Sequence, residues 1–249
     1  MNVSLYQAAS ALNATARWQE MIAQNLAASS LPGFKKQDIS FAAIQSGLLP
    51  AAQTGGSANI LFPGVNTSTN FIQAELRATG APTDLAIEGN GFFQVQLPTG
   101  DIGYTRDGEF RIDDRGQLVT KQGYSVLGNG APIQLDINNH NPLTISANGE
   151  ISQGTEVKGR ITVTSFNNPQ LLQSTANGYF VARDPNLLPT PSPDARLYQG
   201  YLETANTTPV AEMNQLITAM RQFEANQRVL QIQDERLGRL IAELGNPSI

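Results

Sequence analysis

Residues 208–244, TPVAEMNQLITAMRQFEANQRVLQIQDERLGRLIAEL, carry the longest regular pattern in the chain. Counted from Met213 in alternating steps of three and four, it passes through Met213, Leu216, Met220, Phe223, Gln227, Leu230, Asp234, Leu237, Ile241 and Leu244. Eight of these ten are apolar, which favours a sustained heptad seam over the broader stripe of a surface helix. Thr208 and Pro209 form a start signal, a hydroxyl that can cap followed by a residue whose missing N–H has no intrahelical acceptor in any case. Gly245 and Pro247 form the stop. At 1.5 Å per residue the helix is roughly 54 Å long, more than a small domain can cover. Ile217, Val229, Ile232 and Leu240 lie off the seam, so one partner does not cover every apolar side chain. Gln227 and Asp234 on the seam read as polar positions that fix register. The plainer alternative is an amphipathic helix lying across one large core.

The other end of the chain repeats the theme. From Val3 to about Ser29, Leu5, Ala8, Leu12, Thr15, Gln19, Ile22 and Leu26 follow a heptad, flanked by Ala9, Ala16 and Ala23. Helix propensity is good, but alanines offer little apolar area, so the helix is marginal alone. The natural partner is the C-terminal helix. Pro32-Gly33 ends the first helix. From Ile39 to Ala74, 36 residues carry no charge, and islands such as Phe41, Ile44 and Leu61 alternate with Gly55-Gly56 and Pro63-Gly64. That composition suits an extended segment or long hairpin ordered against neighbouring subunits; a flexible linker is the alternative.

From Asp84 to about Glu203 the period falls to two. Phe93 to Leu97, Tyr104 to Arg106, Glu109 to Ile112, Gln117 to Thr120, Tyr124 to Leu127, Leu143 to Ser146, Arg160 to Ser165, Gly178 to Ala182 and Tyr198 to Glu203 read as short strands. Asp107-Gly108 is a hairpin signal, Asp113-Asp114-Arg115-Gly116 a longer turn, and Pro185 to Pro193 a surface excursion. The fold class is therefore α+β: N- and C-terminal α-helices paired in a coiled-coil layer, with a central antiparallel all-β domain inserted between them. The expected divisions are 1–35 for the N-terminal helix, 36–83 for the connector, 84–204 for the β domain and 205–249 for the C-terminal helix.

Composition narrows the function. Charged residues make up 15% of the chain and the net charge is −5, which argues against nucleic acid or an anionic membrane as a main partner. With no cysteine, disulfides, thiolate metal sites and cysteine nucleophiles are excluded. Met1 to Ser10 does not read as a secretory signal peptide, and no stretch reaches the roughly 20 apolar residues of a membrane span. The expectation is a protein exported, if at all, without a cleaved signal and without direct membrane insertion.

Chemistry is scarce. His140, the only histidine, sits in the turn Asn138-Asn139-His140-Asn141-Pro142 with no clustered ligands, so neither a metal site nor serine–histidine catalysis has a basis. Gly89-Asn90-Gly91 and Gly128-Asn129-Gly130 read as turns rather than phosphate loops. Asp113 and Asp114 read as solvated turn carboxylates. No catalytic, cofactor-binding or metal residue is assigned, and no cofactor is expected. A β-rich carbohydrate-binding or glycoside-cleaving protein would need paired carboxylates or exposed aromatics, and aromatic residues make up only 7% of the chain.

Several strings resemble one family. Asn25-Leu26-Ala27, then Pro32-Gly33-Phe34-Lys35, is similar to the N-terminal signature of the bacterial flagellar rod and hook proteins. Asp84 to Phe93, Tyr104-Thr105-Arg106-Asp107-Gly108 and Gly116-Gln117-Leu118-Val119 resemble that family's central domain. Gln199 to Glu203 with Asn206, Pro209-Val210 and Met213, then Arg221-Gln222-Phe223-Glu224, resembles its C-terminal helix region. Ala28, Leu31 and Ala205 depart from the usual pattern. The short connector and Arg221 to Glu224 are closer to the proximal rod type than to the distal type or the hook. The resemblance implies a structural subunit, not an enzyme, of the flagellar basal-body rod. It implies export by the flagellar type III apparatus and helical assembly in the periplasm into a torque-transmitting shaft. Implied partners are copies of itself, other rod subunits and the export apparatus. The assembly interface would comprise Leu5, Leu12, Ile22, Leu26, Met213, Leu216, Met220, Phe223, Leu230, Leu237, Ile241 and Leu244.

Overall fold

The structure, a computed structural model, describes residues 3–50, 57–139, 141–175 and 178–245; the side chains of 3–5, 43–50, 57–63 and 243–245 are outside that description, as is His140. The chain is α+β and divides into two units: one of residues 1–27, 37–68 and 208–249, the other of 28–36 and 69–207.

The first unit holds helix α1 (Val3–Ala28), a two-stranded sheet of β1 (Gln37–Pro50) and β2 (Ser57–Thr69), and helix α2 (Pro209–Gly245). The start signal of α2 works as expected: the Ala211 N–H reaches the Thr208 hydroxyl at 3.4 Å, and the helix begins at Pro209. Met21, Ile22 and Ala219 are buried together, with Trp18, Ile39 and Leu216 packed around them. Gln19 Nε2 donates to the Ala219 carbonyl at 3.2 Å, and Trp18 meets Phe41 edge to face at 5.7 Å. Ala219 is small, so α1 side chains can approach the α2 backbone closely there. The uncharged connector forms the long hairpin β1–β2, in which Ser40 Oγ donates to the Asn66 carbonyl at 3.4 Å.

The second unit is antiparallel throughout. Its main sheet contains β5 (Phe92–Gln96), β6 (Ile102–Thr105), β7 (Phe110–Ile112), β8 (Leu118–Thr120), β9 (Ser125–Gly128), β15 (Gln173–Ser174) and β16 (Phe180–Val181), ordered β15-β16-β6-β5-β9-β8-β7. Off this path, β10 (Ala131–Pro132) pairs with β9, while β14 (Val163–Ser165) pairs with both β5 and β17 (Thr190–Pro191). A three-stranded sheet of β11 (Leu143–Ile145), β12 (Glu150–Gln153) and β13 (Glu156–Arg160) stands beside two pairs: β4 (Leu85–Glu88) with β18 (Arg196–Gln199), and β3 (Leu76–Ala78) with β19 (Tyr201–Glu203). One core gathers Leu85, Ile87, Phe93, Val95, Leu118, Val126, Ile151 and Ile161; a second, aromatic one gathers Phe92, Tyr104, Phe166 and Phe180.

Two local expectations need correcting. Asp107-Gly108 is not a hairpin turn, because β6 pairs with β5 and β16 whereas β7 pairs with β8. The glycine serves close approach instead: a Cβ on Gly108 would lie 1.7 Å from the Leu85 carbonyl oxygen. The 185–193 run is not wholly on the surface, since Leu187 is buried in the aromatic core and Thr190–Pro191 pair with β14. By contrast, Asp113 to Gly116 does join paired strands, with Gly116 at φ +80° and Asp113 Oδ1 accepting from the Arg115 and Gln117 N–H groups.

Candidate functional site

Three stretches far apart in sequence meet at one buried point of the second unit. Glu203, on β19, is almost fully buried, and its Oε1 accepts from Lys35 Nζ at 2.6 Å and from the Ala74 N–H at 2.9 Å. Its Oε2 faces Arg106 Nη1 at 3.3 Å. Lys35 also donates to the Ile72 carbonyl at 2.8 Å, and Arg106 to the carbonyls of Ile87 at 3.3 Å and Gly89 at 2.6 Å. The Arg106 guanidinium lies 5.5 Å from the Phe92 ring centre, and its buried Nε has no hydrogen-bond partner among the described residues. Two cations share one carboxylate, so carbonyl oxygens supply the rest of their solvation. Burial pulls the Lys35 ammonium below its usual range, while Glu203 opposes that pull and Arg106 adds to it. Burial likewise lowers Arg106.

The backbone at this point is closely fitted. Gly33 donates its N–H to the Glu203 carbonyl at 2.7 Å with φ +65°, and a Cβ there would lie 2.2 Å from the Arg106 carbonyl carbon. Only glycine meets both demands. Asn206 accepts from the Lys36 N–H at 2.7 Å and donates to the Asn70 carbonyl at 2.7 Å, while its own N–H reaches the Phe34 carbonyl. Three of the places where the chain enters or leaves this unit, at Lys36, Asn70 and Asn206, are therefore stitched side by side.

The other sequence-derived residues fall in several settings. Asn25 is buried and clasps the Gln37 backbone, accepting from its N–H at 3.0 Å and donating to its carbonyl at 2.9 Å. Ile22 is fully buried, Leu12 and Leu26 half-buried, and Ala27 exposed; Pro32 and Phe34 are half-buried. On α2, Leu216, Phe223, Leu230 and Leu237 are half-buried, whereas Met213, Met220 and Ile241 are exposed at 52%, 51% and 70%. The least exposed column of α2 runs Leu216, Ala219, Phe223, Asn226, Leu230, Gln233, Leu237. It keeps the heptad step but is rotated from the expected seam, leaving the methionine column outward. The side chains of Leu5 and Leu244 lie outside the described residues.

Among the described residues no group of three His, Asp or Glu side chains is placed to hold a metal, and no helix is long and apolar enough to cross a membrane. What the chain presents is a locked β unit and a long helix with an outward apolar column. Comparison with known proteins agrees with that emphasis on structure. Residues 86–153 match the family described as flagellar hook protein FlgE/F/G D1 domain, and residues 198–243 match the flagellar basal body rod FlgEFG protein C-terminal family. The flagellar basal-body rod protein FlgG of Borreliella burgdorferi is 33% identical over 94% of this chain and 96% of its own. The chain belongs to the flagellar basal-body rod protein family.

The rod protein FlgF of Mesorhizobium japonicum is 32% identical over the whole of both chains, and FlgF of Salmonella typhimurium 31% over 96% and 97%. As a member of this family the chain is a structural subunit of the basal-body rod. The triad Lys35, Arg106 and Glu203 falls inside three strings that carry the family resemblance, yet residue type gave none of the three a role. The available signal was that a chain with few charges places at least one in each of those strings.

Proposed function

We propose that copies of this chain pack side by side through α1 and α2 into a helical, periplasmic rod that transmits torque. In that assembly the two helices continue into a coiled-coil layer with neighbouring copies and other rod subunits. The observation that carries this reading is the outward column of α2. On that column Met213, Met220 and Ile241 are each about half exposed or more, and Ile217, Val229, Ile232 and Leu240, which lie off it, are exposed to a similar degree. Covering them adds on the order of 1 kcal/mol per side chain. Long helices marginal in isolation gain their full order on packing, which delays polymerisation until the growing end is reached. Passage through the flagellar type III apparatus as an unfolded chain fits this design. The proximal rod position is our preference from the short connector and Arg221-Gln222-Phe223-Glu224, FlgF and FlgG relatives matching this chain about equally.

Deletion of Val229 to Ile249 tests the assembly role. Export and rod completion are scored separately, and the shortened chain is expected to be exported yet unable to complete the rod. Completed rods containing it would refute the reading. Cross-linking to neighbours in isolated basal bodies tests the position, the distal rod being the competing outcome.

A further inference from the structure

Among the described residues, the ten strands of the main sheet are complete in sequence by Pro191. Residues 196–206 follow and add no strand to that sheet, yet they are bonded across the unit. β18 is the ladder partner of β4, and β19 that of β3. Between them the Gly200 N–H donates to the Asp84 carbonyl at 2.8 Å, and the Gly200 carbonyl accepts from the Thr79 N–H at 2.8 Å. The Gln199 side chain reaches the three-stranded sheet, accepting from the Ile145 N–H at 3.0 Å and donating to the Leu143 carbonyl at 2.9 Å. Further on, the Thr204 N–H donates to the Glu75 carbonyl at 2.9 Å, Glu203 holds Lys35 and Arg106, and Asn206 holds Lys36 and Asn70.

The core shows why the main sheet needs this late segment. Leu85 and Ile87 of β4 and Leu197 of β18 are buried in one cluster with Phe93, Val95 and Val126 of the main sheet. β4 therefore forms one wall of that core, and the ladder along it is made with β18. Without β18 the wall would bury backbone groups that have no partner, which is costly. Charge acts in the same direction. Arg106 directly follows β6, and its guanidinium lies 5.5 Å from the Phe92 ring of β5, so pairing β5 with β6 carries a cation to the interior. The carboxylate that meets it, Glu203, is on the last strand of the unit. An uncompensated buried charge opposes closure more strongly than an unpaired amide does.

We propose that residues 196–206 are a latch: the main sheet has no stable form of its own, and the unit closes in one step when β18 and β19 dock. A chain made from its N-terminus then stays open until its last strands exist. Interrupted before residue 196, it carries all ten main-sheet strands and no folded β unit, which leaves it accessible to proteases and free to be threaded. The latch belongs to this unit alone and stands or falls separately from the rod reading.

Native-state amide exchange of the isolated full chain, in urea rising to just below the unfolding transition, resolves segments that open separately. Peptides covering 196–206 are compared with peptides covering 117–134, where the Leu118 N–H donates to the Ile133 carbonyl and the Ile133 N–H to the Val126 carbonyl. Both sets are expected to exchange through one opening, with equilibrium constants within about threefold and the same urea dependence. A larger gap in either direction would show a segment opening alone and overturn the latch. Leu202→Asp supplies a second reading, because it puts a carboxylate at a buried position of β19, a strand outside the main sheet. In that variant 117–134 is expected to exchange as fast as in the urea-unfolded chain. Protection of 117–134 within about threefold of the unsubstituted chain, while 196–206 exchanges freely, would equally overturn it.

Discussion

Replacing Glu203 by glutamine removes a buried negative charge while keeping the side chain's shape. The carboxylate accepts from Lys35, Arg106 and the Ala74 N–H, and Lys35 and Glu203 side chains are 1% and 0% exposed. Without it two cations lie in the interior with carbonyl oxygens alone, and breaking a buried pair from one side costs about 3–5 kcal/mol. That is a large fraction of the roughly 5–15 kcal/mol that holds a domain folded. Urea unfolding followed by tyrosine near-ultraviolet circular dichroism reads this unit, because Tyr104, Tyr124, Tyr179, Tyr198 and Tyr201 all lie in it. The loss should depend on pH. With the raising influence of Glu203 gone, burial lowers Lys35 further, so the native variant binds fewer protons than the unfolded chain. Its stability then rises as pH climbs towards the usual lysine range, and the deficit against the unsubstituted protein narrows. Lys35→Met added to Glu203→Gln should recover more than half of the loss at neutral pH. A cost below about 1 kcal/mol for Glu203→Gln, independent of pH, would show that these charges are solvated and would refute the reasoning.

Other substitutions follow from the same geometry. Gly33→Ala forces both a positive φ and a clash with the Arg106 backbone, and should cost more than about 2 kcal/mol in the same urea assay. Asp107 is pushed up to about 6 by burial, against 3.8 ordinarily, so the native state holds its proton more tightly and this group favours folding below that range. As pH rises through 6 that contribution is lost; Asp107→Asn should therefore stabilise the protein by up to about 3 kcal/mol at pH 8 and by far less at pH 4, read as a pH series of unfolding midpoints. Asn25→Ala strips two hydrogen bonds from the Gln37 backbone and should destabilise the helical unit by about 2 kcal/mol, followed through Trp18 fluorescence.

The helices and the strand-rich middle were legible because they rest on periodicity: the seam residues and the Thr208–Pro209 start locate α2, and alternation locates β5. The connector was legible from composition instead: a long uncharged stretch with apolar islands suited an extended segment or long hairpin over a flexible linker, and it forms β1 and β2. Facing was harder. A heptad names two columns, but which one turns inward depends on where α1 side chains approach, and small Ala219 draws that approach to its own side of α2. Asp107-Gly108 misled because glycine serves a tight turn and a close backbone crossing equally well, and only the position of Leu85 decides. The Lys35–Glu203–Arg106 cluster escaped because its members are separated by up to 168 residues, a juxtaposition no local pattern encodes. Leu187 was hidden similarly by the prolines around it, whose turn signal says nothing about a single anchoring side chain.

The central claim is that the outward column of α2 is covered by neighbouring subunits in the rod. Amide hydrogen exchange across residues 213–241, compared between the isolated chain and purified basal bodies, tests it most directly. Exchange is expected to be fast in the isolated chain and slower by orders of magnitude in the assembled rod. Equal protection in both states would contradict it.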